Sequence, residues 1–401
     1  MSPSPIFILN CGSSSIKFMA IEPESGNVLI KGLAENLKGE NPLLSWAIDE
    51  KKYEKPLPAT TYSAAIHEIV LLVRELSLLF SGIGHRVVHG GEYFYESVLI
   101  DDSVIKKIKN CTHLAPLHNP VNIIGIEMMQ KEFPKLPQVA VFDTAFHQTM
   151  PKHAYIYPLP FAYYKKYEVR RYGFHGTSHR FVVIEAAKKL GIPLEKTSFI
   201  SAHLGNGCSL CATIQGKSVD TSMGMTPLEG LVMGERSGDI DPSLIGYLAE
   251  TLHCNATDIT EILNTKSGLL GISGVSGDMR VLEKEEKLGN ERAGLAIQIF
   301  CYRLAKYIAS FMVPLHHLDA LIFTGGIGEN SAFIRTHVIR LLKIFGFTLD
   351  ETKNNSHGSL SQGIISKTSH SPIIMVIPTN EELLIARDTR AVIKNHHQEN
   401  R

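Results

Sequence analysis

Two segments lying about half a chain apart are built to one plan. Residues 6–18 read IFILNCGSSSIKF and residues 199–213 read FISAHLGNGCSLCAT. Each is an apolar run, a turn of glycine and small polar residues, and a second apolar run. Short apolar runs bounded by turn residues read as buried strands. Each segment therefore predicts a hairpin whose tip offers backbone N–H groups and hydroxyls. Such an echo predicts two related domains, and 401 residues are enough for two at roughly 100–200 residues each.

Between these segments strands alternate with helices, the pattern of α/β or mixed sheets covered by helices. Residues 64–80 place Ile66, Ile69, Val70, Val73 and Leu76 on one helical face, with Gly82 as the stop. Asn119-Pro120 reads as an N-cap followed by proline at the first helical position. Val139–Phe142 is a buried-type strand ending at Asp143. Ser178 is expected to cap a helix that Gly191 stops. Residues 291–313 carry the longest helical pattern. Strand 321–323 runs into TGGIGEN, with a helix over 331–346. Strand 373–377 is followed by a last helix from Glu381. The polar stretch 351–370 reads as a surface connection.

Composition removes several function classes. Forty basic and forty acidic side chains give a formal charge of zero. Nucleic-acid and anionic-membrane binders need a field of positive charge, so neither partner is expected, although a locally basic pocket for a small anion stays open. No run approaches the ~20 apolar residues of a membrane span. The N-terminal run is too short for a signal peptide, so a cytoplasmic location with free thiols is expected. Cys208 and Cys211 fall in a predicted strand, where an odd offset sends them to opposite faces. With no second pair at zinc spacing, they read as packing.

The chemistry gathers at glycine-rich strand ends. Asn10-Cys-Gly-Ser13-Ser-Ser15-Ile-Lys17 combines close backbone approach, hydroxyls and a cation, which suits phosphate. P-loop spacing is absent, so a plain serine-rich turn is the alternative. Gly205-Asn206-Gly207 and Gly325-Gly326-Ile327-Gly328-Glu-Asn330 are two more such turns. Three together fit a nucleotide cradled between two domains. Arg86 in GHRVVHGG, Arg170 and Arg171 in RRYGFHGTSH, and Arg236 in MGERSGDIDP suit the clamping of a carboxylate or phosphoryl group, with a structural ion pair as the alternative for each and the glycine-flanked setting favouring an open site. His118 precedes a helix start, His175 leads into another, and His203 sits in the strand before Gly205. Asp143 ends a buried strand, where crevices form in α/β sheets. Glu381 opens the last helix, either as a dipole-favoured acid or as a Mg²⁺ carboxylate.

Taken in order, FILNCGSSSIKF, GHRVVHGG, HLAPLHNP, VFDTAFH, RRYGFHGTSH, HLGNGCS, DTSMGMTPLEG, RSGDIDP, FTGGIGEN and PTNEE resemble the acetate/propionate kinase family of the sugar-kinase/Hsp70/actin superfamily. The resemblance runs from Asn10 to Glu381. It implies an α/β fold of two ribonuclease-H-like (actin-like ATPase) domains, with mixed sheets flanked by helices and the active site in the interdomain cleft. Residues 1–147 with 384–401 would form the first domain, and 148–383 the nucleotide-binding and dimerisation domain.

The resemblance also implies the activity: reversible Mg²⁺-dependent transfer of the ATP γ-phosphoryl group to acetate, giving acetyl phosphate and ADP, with Mn²⁺ as an alternative ion. On that likeness Asn10 and Glu381 position the metal. Arg86 and Arg236 bind substrate and stabilise the transition state, His175 donates to the transferring group, and Asp143 supports. Val88, Leu117, Phe174 and Pro227 surround the acetate methyl. Asn206 and Gly207 form a phosphate turn, with Asp278, Met279, Arg280, Gly326, Ile327 and Asn330 at the adenosine. Ser13, Ser15, Lys17, His118 and His203 occupy motif positions with less specific roles. A homodimer through the second domain, with 291–313 contributing, is implied as well. Glu235 departs from the threonine usual before the arginine of this motif. The alternatives are a propionate or butyrate kinase of the same family, and a non-catalytic nucleotide-dependent binding protein of the superfamily.

Overall fold

A computed structural model of the chain describes residues 4–12, 14–367 and 372–399. The chain divides into two compact units, Met1–Gln148 with Asn380–Arg401, and Thr149–Thr379. It thus returns to the first unit at Asn380, ahead of the 384 expected from the sequence, so that Glu381 belongs to the first unit. Among the described residues no helix is long and apolar enough to cross a membrane.

The first unit holds an eight-stranded sheet. Its strands are β1 (Ile6–Cys11), β2 (Ile16–Ile21), β3 (Val28–Glu35), β4 (Leu43–Ile48), β5 (Lys51–Pro56), β6 (Gly82–Val87), β7 (Val98–Leu99) and β8 (Gln138–Phe142). They lie in the order β5-β4-β3-β2-β1-β6-β8-β7. The predicted hairpin is present, with β1 and β2 antiparallel and Asn10 directly opposite Lys17. Strand β6 then joins β1 in parallel, and β8 joins β6 in parallel.

The second unit repeats this arrangement with β9 (Ser198–Leu204), β10 (Cys208–Ile214), β11 (Lys217–Thr221), β12 (Ala320–Thr324) and β13 (Ile373–Val376), in the order β11-β10-β9-β12-β13. Here too three antiparallel strands are followed by two parallel ones. The echo read from the sequence is therefore a repeat of sheet topology: β3-β2-β1-β6-β8 and β11-β10-β9-β12-β13 are the same five-strand plan.

Helix Tyr62–Glu75 buries Ala65, Ile66, Ile69, Val70, Leu72 and Val73 into a core with Phe7, Leu9, Ile16 and Phe18. It ends at Glu75, and Gly82 is the first residue of β6 instead of the helix stop. The physical reason lies in packing. A Cβ on Gly82 would come within 2.3 Å of Ile393 Cδ1, and one on Gly84 within 2.6 Å of Thr389 Oγ1. Both glycines let the last helix, Glu381–Glu399, lie directly against β6.

In the second unit, helix Glu291–Ser310 turns Ala293, Ala296, Ile297, Phe300, Leu304 and Ile308 inward. Cys208 and Cys211 are fully buried and all six cysteines are free. Burial pushes the Cys208 thiol up to about 12 and raises Cys211 as well, so both are inert packing groups. The polar stretch 351–370 departs from its reading. It contains helix Glu351–Asn355, and Asn354 is buried. Residues 368–370 lie outside the described residues.

Candidate active site

In the first unit the strand ends assemble a charged cluster. Arg86, one residue before the end of β6, sends Nε to Asp143 Oδ1 at 2.9 Å and Nη2 to Asp143 Oδ2 at 2.6 Å. Its Nη1 donates to Asn10 Oδ1 at 3.2 Å. Asp143, just past β8, is 1% exposed, and its backbone N–H bonds Val87 O. The fork is the strong bidentate kind. Burial acts to lower the Arg86 pKa, but Asp143, Glu381 and Glu382 outweigh it and raise it above its ordinary value, so Arg86 is a permanent cation.

Glu381 opens the last helix, whose start Asn380 secures by accepting the Leu383 N–H at 2.9 Å. Capping and an available acid therefore coexist, since Asn380 does the former. Burial pushes the Glu381 carboxyl up to about 7; Arg86 opposes this, Asp143 and Glu382 add to it, and Lys17 opposes it. Among the described residues no side chain hydrogen-bonds this carboxylate. A hollow of about 700 Å³ over the sheet reaches Asn10, Lys17 and Glu382.

This donor set fits a hard divalent cation: a carboxylate crowded by two others and an amide oxygen with a lone pair to spare, both oxygen ligands. Among the described residues no cluster of three or more His, Cys, Asp or Glu forms a metal cage.

Two asparagines that sequence reasoning missed hold this cluster. Asn122 accepts the Val88 N–H at 3.1 Å and donates to Cys11 O at 2.8 Å, joining the ends of β6 and β1. Asn119 accepts the His89 N–H and donates to His89 O. Asn119 is thus not the expected cap: His118 takes that position, and its side chain makes no capping hydrogen bond to the helix. Their only signal was two polar residues on the face a buried helix turns inward. Ser15 O accepts the Gly12 N–H at 2.8 Å. Ser13 lies outside the described residues.

In the second unit a histidine network surrounds the Gly205–Gly207 turn. His175 stands in the left-handed region (φ 57°) at the head of helix Gly176–Leu190. Its Nδ1 pairs with Ser209 Oγ at 2.9 Å, and the same hydroxyl meets His179 Nε2 at 2.7 Å. The His175 and His203 rings stack at 4.3 Å. Ser178 is no cap; its hydroxyl bonds His203 Nδ1 and Thr379 Oγ1, each at 2.8 Å. A Cβ on Gly207 would lie 2.5 Å from Arg236 Nη2 and 3.4 Å from His175 Cε1, so Gly207, Arg236 and His175 converge.

Arg236 Nη1 donates to Pro227 O at 2.6 Å, and among the described residues it has no carboxylate partner. Burial lowers its pKa, with Cys208 and Glu235 opposing. The neighbouring arginines are structural instead. Arg171 bonds Glu229 and the carbonyls of Thr221, Ser222 and Met223, and Arg170 lies over the Tyr155 ring.

A cavity of about 640 Å³ is lined by Asn206, Asp278, Met279, Arg280, Gly326, Ile327 and Asn330, together with Glu235. Asp278 caps the following helix, accepting the Arg280 N–H at 2.9 Å. Asn330 Nδ2 bonds Gly326 O at 2.9 Å. Arg335 was not foreseen: fully buried, it donates to Gly328 O and to Asn354 O, each at 2.8 Å, and fastens this turn to the 351–355 helix. Of the four predicted methyl-pocket residues, Val88 and Leu117 belong to the first unit, Phe174 and Pro227 to the second. Val88 and Phe174 are buried, whereas Leu117 is exposed.

A five-strand plan used twice is that of the actin-like ATPase fold, and a guanidinium without a carboxylate partner among the described residues, set against a glycine turn, is chemically suited to phosphoryl oxygens. The class is thereby a phosphotransferase of that fold. The model of the acetokinase family matches residues 5–387. An acetate kinase of Shewanella loihica is 53% identical, covering 98% of this chain and all of its own. Among solved structures, a propionate kinase from Francisella tularensis superposes with a TM-score of 0.92 at 49% identity, over 97% of this chain and all of that one. The acetate kinase of Porphyromonas gingivalis gives 0.91 at 42%, with the same coverage. The chain belongs to the acetokinase family.

Proposed function

We propose that the protein is an acetate kinase, transferring the ATP γ-phosphoryl group reversibly to acetate to give acetyl phosphate and ADP. The observation that carries this is Arg236: a half-buried cation with no acidic partner among the described residues, set against Gly207 and His175. Little covalent chemistry is asked of a phosphotransferase, so positioning and charge neutralisation do the work. Arg236 and His175 donate to the phosphoryl oxygens, with His203 and His118 assisting. The Asn206–Gly207 turn takes the phosphate chain, and the 278–280 and 326–330 segments take the adenosine. Arg86, held by Asp143, orients the acceptor carboxylate through the edge that Asp143 leaves open.

Asn10 and Glu381 would hold Mg²⁺, which supplies neutralisation of phosphate charge when bound. Lys17, opposite Asn10, adds a further cation, and Ser13 and Ser15 are assigned to the phosphates from their place in the sequence motif. Val88, Leu117, Phe174 and Pro227 are assigned to the acyl chain. The protein acts in the cytoplasm as a homodimer through its second unit. Leu295 and Tyr302, seven residues apart on helix Glu291–Ser310, are exposed at 49% and 59% and support that surface.

Transfer is direct. ATP–ADP exchange in the absence of acetate, through a phosphorylated Glu381 or His175, would overturn this; no exchange is expected. The propionate kinase among the structural relatives favours a second reading, propionate as acceptor. One methylene is worth about 1–3 kcal/mol, so kcat/KM for acetate, propionate and butyrate separates the two.

A further inference from the structure

Glu235 is one residue from Arg236, yet the two form no ion pair among the described residues. Instead Glu235 lines the 640 Å³ cavity together with two other carboxylates, Asp278 and Glu283. The other two are committed. Asp278 receives the Arg280 backbone N–H and its guanidinium Nε and Nη2, which also occupies the cation of this wall. Glu283 receives the Ser331 hydroxyl. Glu235 alone of the three has no side-chain partner among the described residues. Glu235 is exposed, but its backbone is fixed beside the turn: its carbonyl accepts the Ser267 N–H at 2.9 Å, and the preceding Gly234 N–H bonds Asn206 O at 2.9 Å.

An uncommitted carboxylate beside a phosphate turn repels phosphate oxygens, so the ligand groups it accepts must be donors. A nucleoside offers two kinds, the ribose hydroxyls and the base amino group. The ribose is the part next to the phosphates in any nucleotide, and Glu235 adjoins the residue bonded to Asn206. We infer that Glu235 accepts a hydrogen bond from a ribose hydroxyl of the bound nucleotide, a contact that rests on reading this cavity as the nucleotide site.

Calorimetric titration of the full chain with ATP, 2′-deoxy-ATP and 3′-deoxy-ATP, with Mg²⁺ present, tests it. A hydrogen bond to a charged group lost without replacement weakens binding about tenfold or more. Glu235→Ala is expected to bind ATP about tenfold more weakly. The wild-type chain is expected to lose as much with one of the deoxy analogues, and Glu235→Ala to bind all three alike. Unchanged or tighter ATP binding in Glu235→Ala overturns the contact. So does a deoxy penalty of equal size in both proteins. Binding is read apart from turnover. A chain that shows these dependences but phosphorylates no short acid contradicts the reaction and leaves the contact standing; a chain that binds no ATP overturns both.

Discussion

Arg86 and Arg236 carry the same charge into different surroundings, and their variants should fail differently. Arg86→Ala leaves Asp143 buried with no cation, which costs about 3–5 kcal/mol of stability as well as orders of magnitude in kcat. Among the described residues Arg236 bonds only a carbonyl, Pro227 O, so Arg236→Ala should lose about 10²–10³ in kcat with a urea midpoint near that of wild type. Equal destabilisation by both would contradict the roles assigned. Gly207→Ala probes the same site from the other side. Its new Cβ would displace the Arg236 guanidinium, a flexible end that moves at little cost to folding. Activity is expected to fall about 10²-fold, the scale of a misplacement of about 1 Å, with thermal stability nearly unchanged. Much of this was legible in residue type and spacing: Asn10 and Lys17 flank one turn, and a histidine beside glycine leads into a helix. The Arg86–Asp143 fork was not, because its partners are 57 residues apart and meet only when β6 and β8 pair.

Sheet elements hold those residues through buried polar groups that sequence pattern alone does not reveal. Asn122 joins the end of β1 to the end of β6, so Asn122→Leu strands the Cys11 carbonyl and the Val88 N–H. A loss of about 2–6 kcal/mol is expected, from about 1–3 kcal/mol for each of the two unsatisfied buried groups; a loss below 1 kcal/mol would show that water replaces the side chain. His85, within β6, is 2% exposed and pairs with Gln138 Oε1 at 2.7 Å. Burial pulls its pKa from 6.5 down to about 4, with Gln138 opposing. The native state therefore resists protonation while the unfolded state accepts it. Stability is full above pH 6.5 and falls as the pH drops toward 4, by on the order of 3 kcal/mol for this group. Urea midpoints of His85→Leu should decline less across that interval than those of wild type; parallel declines would refute the assignment. The hairpins, the parallel strands and the helix at 119–132 were readable from apolar runs and turn residues. Gly82 was misread because a glycine that admits a packed helix looks, in sequence, like one that ends a helix.

At the scale of the molecule, the echo between residues 6–18 and 199–213 became a repeated five-strand plan, one copy carrying the acidic cluster proposed for the metal and the other the glycine turn proposed for phosphate. The balance of forty charges of each sign hides this division. Glu381→Gln removes the crowded carboxylate while keeping its shape, so the Mg²⁺ concentration for half-maximal activity should rise tenfold or more; an unchanged value would place the ion elsewhere. What sequence could not supply was the depth of the polar support, Arg335 with Asn354 above all, since their stretch has the composition of a surface loop. The whole account rests on a carboxylate acceptor, and trapping the product with hydroxylamine addresses it most directly. With ATP, Mg²⁺ and acetate, the protein is expected to form acetyl hydroxamate in proportion to the ADP released. ADP release without acyl hydroxamate from acetate, propionate or butyrate would contradict it.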